Sequence, residues 1–366
     1  MKVKFNRSAL QEALNLVTSI TPARTPKDIL KCVRVTASGD TVRLCATDLE
    51  VGIHYRVAQV EVERDGDIVA PADKLAAIVR ESIDDVIEIE VTETTIHIRG
   101  SDSHFAIYAH DVSQYPQVPD FEGAADVELT LGALQEAIDL CLFAAAREST
   151  RYALNGVLWE VEGKKLTLVA TDGRRLAKAT ATLQAAAGAV PDGRVIVPAK
   201  TMGLLDRIGG DESQLVAVRF VGNQIVLACD PVVVCSNLVE GNFPQYRDII
   251  PKDYDKKLTL PTEATLSAVR RAALLAGDDS KGIRLALKPG AMIFSSRSPE
   301  TGDAQIDMAV EYKGEPLDIG FNPQFLVDVL RVMKSDTFEL HLGQADRPGL
   351  FKCGQKLLYI VMPVNL

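Results

Sequence analysis

Long apolar runs are missing from this 366-residue chain: the longest, Leu140 to Ala146, has seven residues. A membrane-spanning helix needs ~20, so a helical membrane protein is excluded. The start, Met1-Lys-Val-Lys-Phe-Asn-Arg7, lacks the apolar core of a signal peptide. A cytoplasmic protein is expected. The six cysteines, at 32, 45, 141, 229, 235 and 353, show no CxxC spacing, which argues against a zinc ribbon or a redox dithiol. They are expected as buried thiols. The five histidines lie far apart and form no HExxH, and GxSxG, P-loop and GxGxxG motifs are all lacking. No metal or cofactor is expected. Positive charge is scarce as well: 40 Lys and Arg face 50 Asp and Glu, a net charge of -10. That opposes a basic nucleic-acid footprint over the whole surface but says nothing of where the charges sit.

What is present is an ordinary globular composition, 47% hydrophobic and 25% charged. The length suggests two or three domains, and the chain repeats three times. Val3-Lys-Phe-Asn-Arg-Ser-Ala-Leu-Gln-Glu-Ala-Leu14, Val127-Glu-Leu-Thr-Leu-Gly-Ala-Leu-Gln-Glu-Ala-Ile138 and Leu258-Thr-Leu-Pro-Thr-Glu-Ala-Thr-Leu-Ser-Ala-Val269 each read as a short strand running into a helix. A second marker is a strand, a proline and a helix: Pro71, Pro198 and Pro323 lie 127 and 125 residues apart. A third closes each repeat: Tyr115-Pro116, Phe243-Pro244 and Met362-Pro363.

Helical spacing of apolar residues and these markers predict helices over 7–18, 72–82, 131–148, 199–208, 262–276 and 322–334. Period-two patterns such as Val42, Leu44, Ala46 and Ile87, Ile89, Val91 predict strands between them. Each repeat thus holds two helices and about eight strands. Linkers are expected near 121–126 and 252–257, giving domains 1–122, 123–255 and 256–366.

The repeat resembles the bacterial β sliding clamps, the processivity subunits (DNA polymerase III subunit beta) of the replicative DNA polymerase. The resemblance spans the chain. Ala46-Thr-Asp-Leu-Glu50, Tyr152-Ala-Leu-Asn-Gly156, Ala170-Thr-Asp-Gly-Arg-Arg-Leu-Ala177, Val197-Pro-Ala-Lys200, Gly241-Asn-Phe-Pro-Gln-Tyr246 and Tyr359-Ile-Val-Met-Pro-Val-Asn-Leu366 carry it. It implies an α+β fold of three similar clamp domains, each with two helices on antiparallel sheets. It implies two chains closed head to tail around duplex DNA, with no catalysis. If helices line the hole, as the resemblance implies, then at ~10 Å spacing six enclose about 9 Å and twelve roughly 28 Å. Only the dimer passes a duplex. The predicted helices sum to a net charge of +1, leaving -11 elsewhere, the direction that a DNA-facing lining needs. An acidic exterior also discourages random DNA sticking.

Site residues follow from the same resemblance. Arg24, in a loop held extended by Pro22 and Pro26, matches a DNA-contacting arginine. Lys27, Lys74, Arg80, Lys200 and Arg207 are further phosphate-contact candidates, and Arg151 with Tyr152 falls where the family touches DNA. A pocket for partner peptides is implied at Leu154, Thr171, Gly173, Arg174, Arg175, Leu176, Pro244, Ile249, Ile360, Met362, Pro363 and Val364. Its apolar residues suit anchor side chains, and Met362 adapts to varied partners. Its occupants would be the replicative polymerase, the ATP-driven clamp loader and other proteins with clamp-binding motifs. Leu274 and Leu275 are assigned to the dimer face, with Phe105 opposite. Lys74 and Arg99 are placed to meet Glu300 and Asp303 across it.

A rival reading is a β-rich hydrolase using Asp48 or Asp172 as acid or base. These aspartates recur 124 residues apart beside turns, where such side chains bond backbone amides.

Overall fold

Asn6 ends the first strand, Lys2–Asn6, and its side chain accepts a hydrogen bond from Ala9 N at 3.1 Å, capping helix α1 (Arg7–Val17). Leu10, Ala13, Leu14 and Val17 turn one face of α1 into the core. The same strand-into-helix step recurs at α3 (Leu131–Asp139) and α5 (Thr262–Ala273). The proline markers introduce α2 (Ala72–Glu81), α4 (Ala199–Leu205) and α6 (Pro323–Val332). Asn322 caps α6 by accepting from Gln324 N at 2.9 Å, and Pro323 fills the first turn, where its missing N–H costs nothing. These features come from a computed structural model that describes residues 1–147, 153–188, 190–251, 253–276 and 282–365. Among them, no helix is long and apolar enough to cross a membrane. No group of three or more His, Cys, Asp or Glu is placed to hold a metal ion.

The chain divides into two compact units. Unit 1 comprises Met1–Gly132, Leu183–Pro191 and Gly203–Leu238. It holds a five-stranded antiparallel sheet in the order Val60–Arg64, Lys2–Asn6, Val86–Thr92, Thr95–Arg99, His104–Tyr108. Its nine-stranded sheet runs from repeat 2 into repeat 1, joined where Val232–Asn237 pairs with Val51–Val57. In unit 1, α1 packs against α2.

Unit 2 comprises Ala133–Thr182, Asp192–Met202 and Val239–Leu366. Its eight-stranded sheet joins repeat 3 to repeat 2 where Leu357–Val361 pairs with Arg175–Thr182. Its four-stranded sheet runs Gly302–Ala309, Ala291–Ser298, Ile283–Lys288, Leu317–Phe321. In unit 2, α5 packs against α6.

One rule governs both joins. The last strand of a repeat pairs antiparallel with the fourth strand of the repeat before it. Ser236 meets Val51 in unit 1, and Val361 meets Arg175 in unit 2. Two strands of these kinds remain at sheet edges: His104–Tyr108, the last of repeat 1, and Gly302–Ala309, the fourth of repeat 3.

Several expected helix ends change: α4 stops at Leu205 rather than 208 and α5 at Ala273 rather than 276. The 131–148 helix stops at Asp139, and Leu142–Ala144 forms a 3-10 turn. Breaking the helix there leaves the Phe143 carbonyl able to accept from Arg175 Nη2 at 2.7 Å. Helix α6 ends at Val332, so Lys334 lies outside it. With the observed ends, α3 carries two negative charges, α4 and α5 one net positive charge each, and the others none. The helices therefore sum to zero rather than +1, in a chain of -10. Five of the cysteines are buried and all six are unbridged; burial pushes the Cys45 thiol up to about 12.

Candidate protein- and DNA-binding sites

The turn from Thr171 to Arg175 organises the pocket candidates in unit 2. Thr171 Oγ1 accepts from Gly173 N at 3.1 Å and donates to the Arg175 carbonyl at 2.6 Å. Asp172 Oδ1 accepts from Arg174 N at 2.9 Å and Arg175 N at 3.1 Å. Repeat 1 builds the same turn. Thr47 bonds Leu49 N and the Val51 carbonyl, and Asp48 Oδ1 accepts from Glu50 N and Val51 N. Both aspartates are thus occupied as turn formers, which accounts for their recurrence without acid–base chemistry.

The third turn residue sits at positive φ in both copies, +80° at Leu49 and +87° at Gly173. A Cβ on Gly173 would meet no atom within 4 Å, so backbone strain alone opposes a side chain there. Gly173→Ala is expected to lower stability by about 1 kcal/mol, read as a shift in urea midpoint at constant slope. A loss under 0.3 kcal/mol would contradict this account of the turn.

Arg175 links the turn to α6. Its guanidinium donates to Asp172 Oδ2 at 3.0 Å, Asp328 Oδ2 at 2.6 Å and the Phe143 carbonyl at 2.7 Å. It lies 4.4 Å from the centre of the Phe325 ring. Its side chain is only 9% exposed. Burial opposes its charge, but the bond to Asp328 and the surrounding anions hold its pKa above the ordinary value. Asp328, Phe325 and Phe143 had no local sequence signal. The first two lie about 150 residues from Arg175, and only the fold brings them together.

The C-terminal segment closes onto this turn. Leu176 pairs with Ile360, Met362 N donates to the Arg174 carbonyl at 2.9 Å, and Val364 N to the Gly320 carbonyl at 2.9 Å. Leu176 and Ile360 are buried in a cluster with Leu158, Val169, Phe243 and Tyr246, and Leu154 is buried too. These three support the site from beneath. Met362 and Ile249 are 40% and 44% exposed, while Pro244, Pro363 and Val364 are half-buried. Phe243 and Tyr246 tie the 244–249 segment to the same cluster, and Tyr246 donates to Glu160 at 2.6 Å.

Repeat 1 offers a contrast. Asn237 N donates to the Glu50 carbonyl at 2.9 Å, matching Met362 on Arg174. Polar Asn237 stands where Met362 does, and Val51 stands where Arg175 does. The scaffold repeats but its surface chemistry does not.

The DNA candidates fall on several elements of both units. Arg24 and Lys27 are exposed in the 21–27 loop of unit 1. Lys74 and Arg80 are exposed on α2, beside Asp73 at 3.4 Å and Glu81 at 3.0 Å. Arg207 is exposed beyond α4, and Lys200 is exposed on α4 in unit 2. Arg151 and Tyr152 lie outside the described residues.

At the expected dimer face, Phe105 is 43% exposed on the edge strand of unit 1. In unit 2, Leu274 is 79% exposed at the end of α5, Leu275 is half-buried, and Glu300 and Asp303 are exposed. Arg99 already bonds Glu90 at 2.7 Å and Glu88 at 3.2 Å on its own sheet. A contact of Arg99 with Glu300 or Asp303 of a second copy would compete with these bonds.

Three family models of the DNA polymerase III beta subunit match in order: the N-terminal domain over residues 1–119, the central domain over 128–245 and the C-terminal domain over 247–365. The beta sliding clamp of Pseudomonas putida is 32% identical over 369 residues, covering 100% of both chains. The crystal structure of the Pseudomonas aeruginosa sliding clamp bound to griselimycin matches with a TM-score of 0.92 at 31% identity, again over 100% of both chains. That of the Bacillus subtilis sliding clamp matches with a TM-score of 0.92 at 28% identity, over 100% of this chain and 99% of that one. Triple repeat, six helices, antiparallel sheets and full-length similarity agree: the chain belongs to the DNA polymerase III beta subunit family, the bacterial sliding clamps.

Proposed function

We propose that two copies of this clamp close head to tail into a ring around duplex DNA, without catalysis of their own. The observation that carries this is the pair of open sheet edges. Each internal join pairs the last strand of one repeat with the fourth strand of the repeat before it. His104–Tyr108 and Gly302–Ala309 are the two strands that the rule leaves over. A second copy supplies the missing partner at each edge, and the contact closes because three repeats per chain make six around the ring. Phe105 of one copy would then pack near Leu274 and Leu275 of the other, rimmed by Glu300 and Asp303. Capping exposed edges in this way also removes an aggregation hazard.

The domains proposed are 1–122, 123–255 and 256–366. Arg24, Lys27, Lys74, Arg80, Arg151, Tyr152, Lys200 and Arg207 are proposed to meet phosphates without reading sequence. Neutral helices in an acidic chain suit sliding, since many strong phosphate contacts would hold the ring in place. The site around Arg175, Ile249 and Met362 is proposed to take peptides of the replicative polymerase, the clamp loader and other clamp-binding proteins. The workplace is the cytoplasm, on the nucleoid during replication.

Truncation after Val361 removes Met362, Pro363 and Val364 but leaves both open edges intact. The truncated chain is expected to lose partner-peptide binding at least tenfold, about 1.4 kcal/mol, by fluorescence anisotropy, and to remain dimeric by light scattering. Undiminished peptide binding would refute the pocket assignment.

A further inference from the structure

A cavity of about 720 Å³ opens in unit 2, and its Leu350 and Tyr254 adjoin the cluster beneath the peptide-site candidates Leu176 and Ile360. Three of its lining residues are cations: Lys257 on strand Lys256–Pro261, Arg347 in the turn after Thr337–Leu342, and Lys352 on Gly349–Cys353. Among the described residues, none of the three has an ion-pair partner within 4 Å. Two acids, Asp253 and Asp255, also line the cavity. Asp255 bonds Lys256 Nζ at 2.6 Å. Glu339, across the ladder from Lys352, bonds His341 Nε2 at 2.9 Å. Asp253 is exposed and, among the described residues, has no such bond. The lining residues carry three positive and two negative charges, a net of +1 in a chain of -10.

A second observation comes from Tyr254, which also lines the cavity and packs edge-on against His341 at 5.8 Å between ring centres. Its hydroxyl is buried and has no hydrogen-bond partner among the described residues. Buried hydroxyls are nearly always paired, and burial pushes this phenol up to about 12, keeping it a neutral donor. The site thus offers a guanidinium fork and two ammonium groups. It offers few competing acceptors.

We infer that this cavity binds a small molecule carrying two or more phosphate groups. The guanidinium matches phosphate geometry bidentately, and lysines add point charges. The volume lies within the range of small-molecule pockets and exceeds what one phosphate fills. Three cations spread over two strands and a turn suit a polyanion better than a single carboxylate.

The experiment is calorimetric titration of the full-length protein at low salt with sodium tripolyphosphate and, separately, with ATP. Saturable binding with one site per chain is expected for both. The Arg347→Gln, Lys352→Gln double variant should bind at least about tenfold more weakly, because two charge-assisted contacts are lost. Equal affinity for the two probes assigns recognition to the phosphates alone; tighter ATP adds a nucleoside contact, and both results support the site. The inference is overturned if neither probe saturates, or if the double variant binds like the parent protein. It is also overturned if a short linear duplex displaces tripolyphosphate from the same residues, which would assign these cations to DNA.

Discussion

Replacing Leu274 and Leu275 with lysine is expected to convert the protein from a dimer to monomers. Leu274 is 79% exposed at the end of α5, where a monomer gains nothing from a large apolar side chain. Buried between copies, each leucine contributes roughly 1.5–3 kcal/mol per face, and the closed ring buries each twice. Lysine removes that gain and places unpaired ammonium groups in an apolar contact, a cost larger than the lost transfer term. Leu274 packs little within its own copy while Leu275 is half-buried there, so Leu274→Lys alone, which leaves the fold least disturbed, should already weaken the dimer. Sedimentation at micromolar concentration should give 39.7 kDa for the variant and twice that for the parent. An unchanged dimer mass would refute this interface.

Replacing Arg175 with methionine is expected to destabilise unit 2 by about 3 kcal/mol, because it leaves two partly buried carboxylates without their cation. Asp172 and Asp328 are 21% and 19% exposed, so water recovers only part of the loss. The Phe143 carbonyl also loses its donor. Changing Asp328→Asn in the same chain should restore part of the stability, since removing both partners of a buried pair is far less costly than removing one. Urea unfolding of the two single variants and the double variant measures the coupling. Additive losses would show that Arg175 and Asp328 do not act as a pair. Peptide binding should fall in the single variant, because the Arg174 carbonyl that receives Met362 N sits on the turn that Arg175 anchors.

Much of this fold is legible in the sequence because it is local. Helical spacing at Leu10, Ala13 and Leu14, and the prolines at 71, 198 and 323, place all six helices. Their ends are less legible. Apolar spacing alone runs the third helix through Leu140–Ala146, and nothing local shows that Arg175 needs the Phe143 carbonyl. The strand joins are hidden for a similar reason: alternation marks Arg175–Thr182 and Leu357–Val361 as strands, but not as partners 182 residues apart. The turns at Asp48 and Asp172 are read correctly from spacing because an aspartate bonding amides two and three residues on is a local device. Arg175 is recognisable as a pocket candidate by its motif, yet its buried ion pair depends on α6. Local pattern cannot tell Leu176 and Ile360, which are buried, from Ile249 and Met362, which are not.

The central proposal is topological retention. Protein loaded on a nicked circular duplex should remain bound through gel filtration, and should be lost once a restriction enzyme linearises the circle, because a ring slides off free ends. Equal retention on circular and linear DNA of the same length and sequence would contradict the ring.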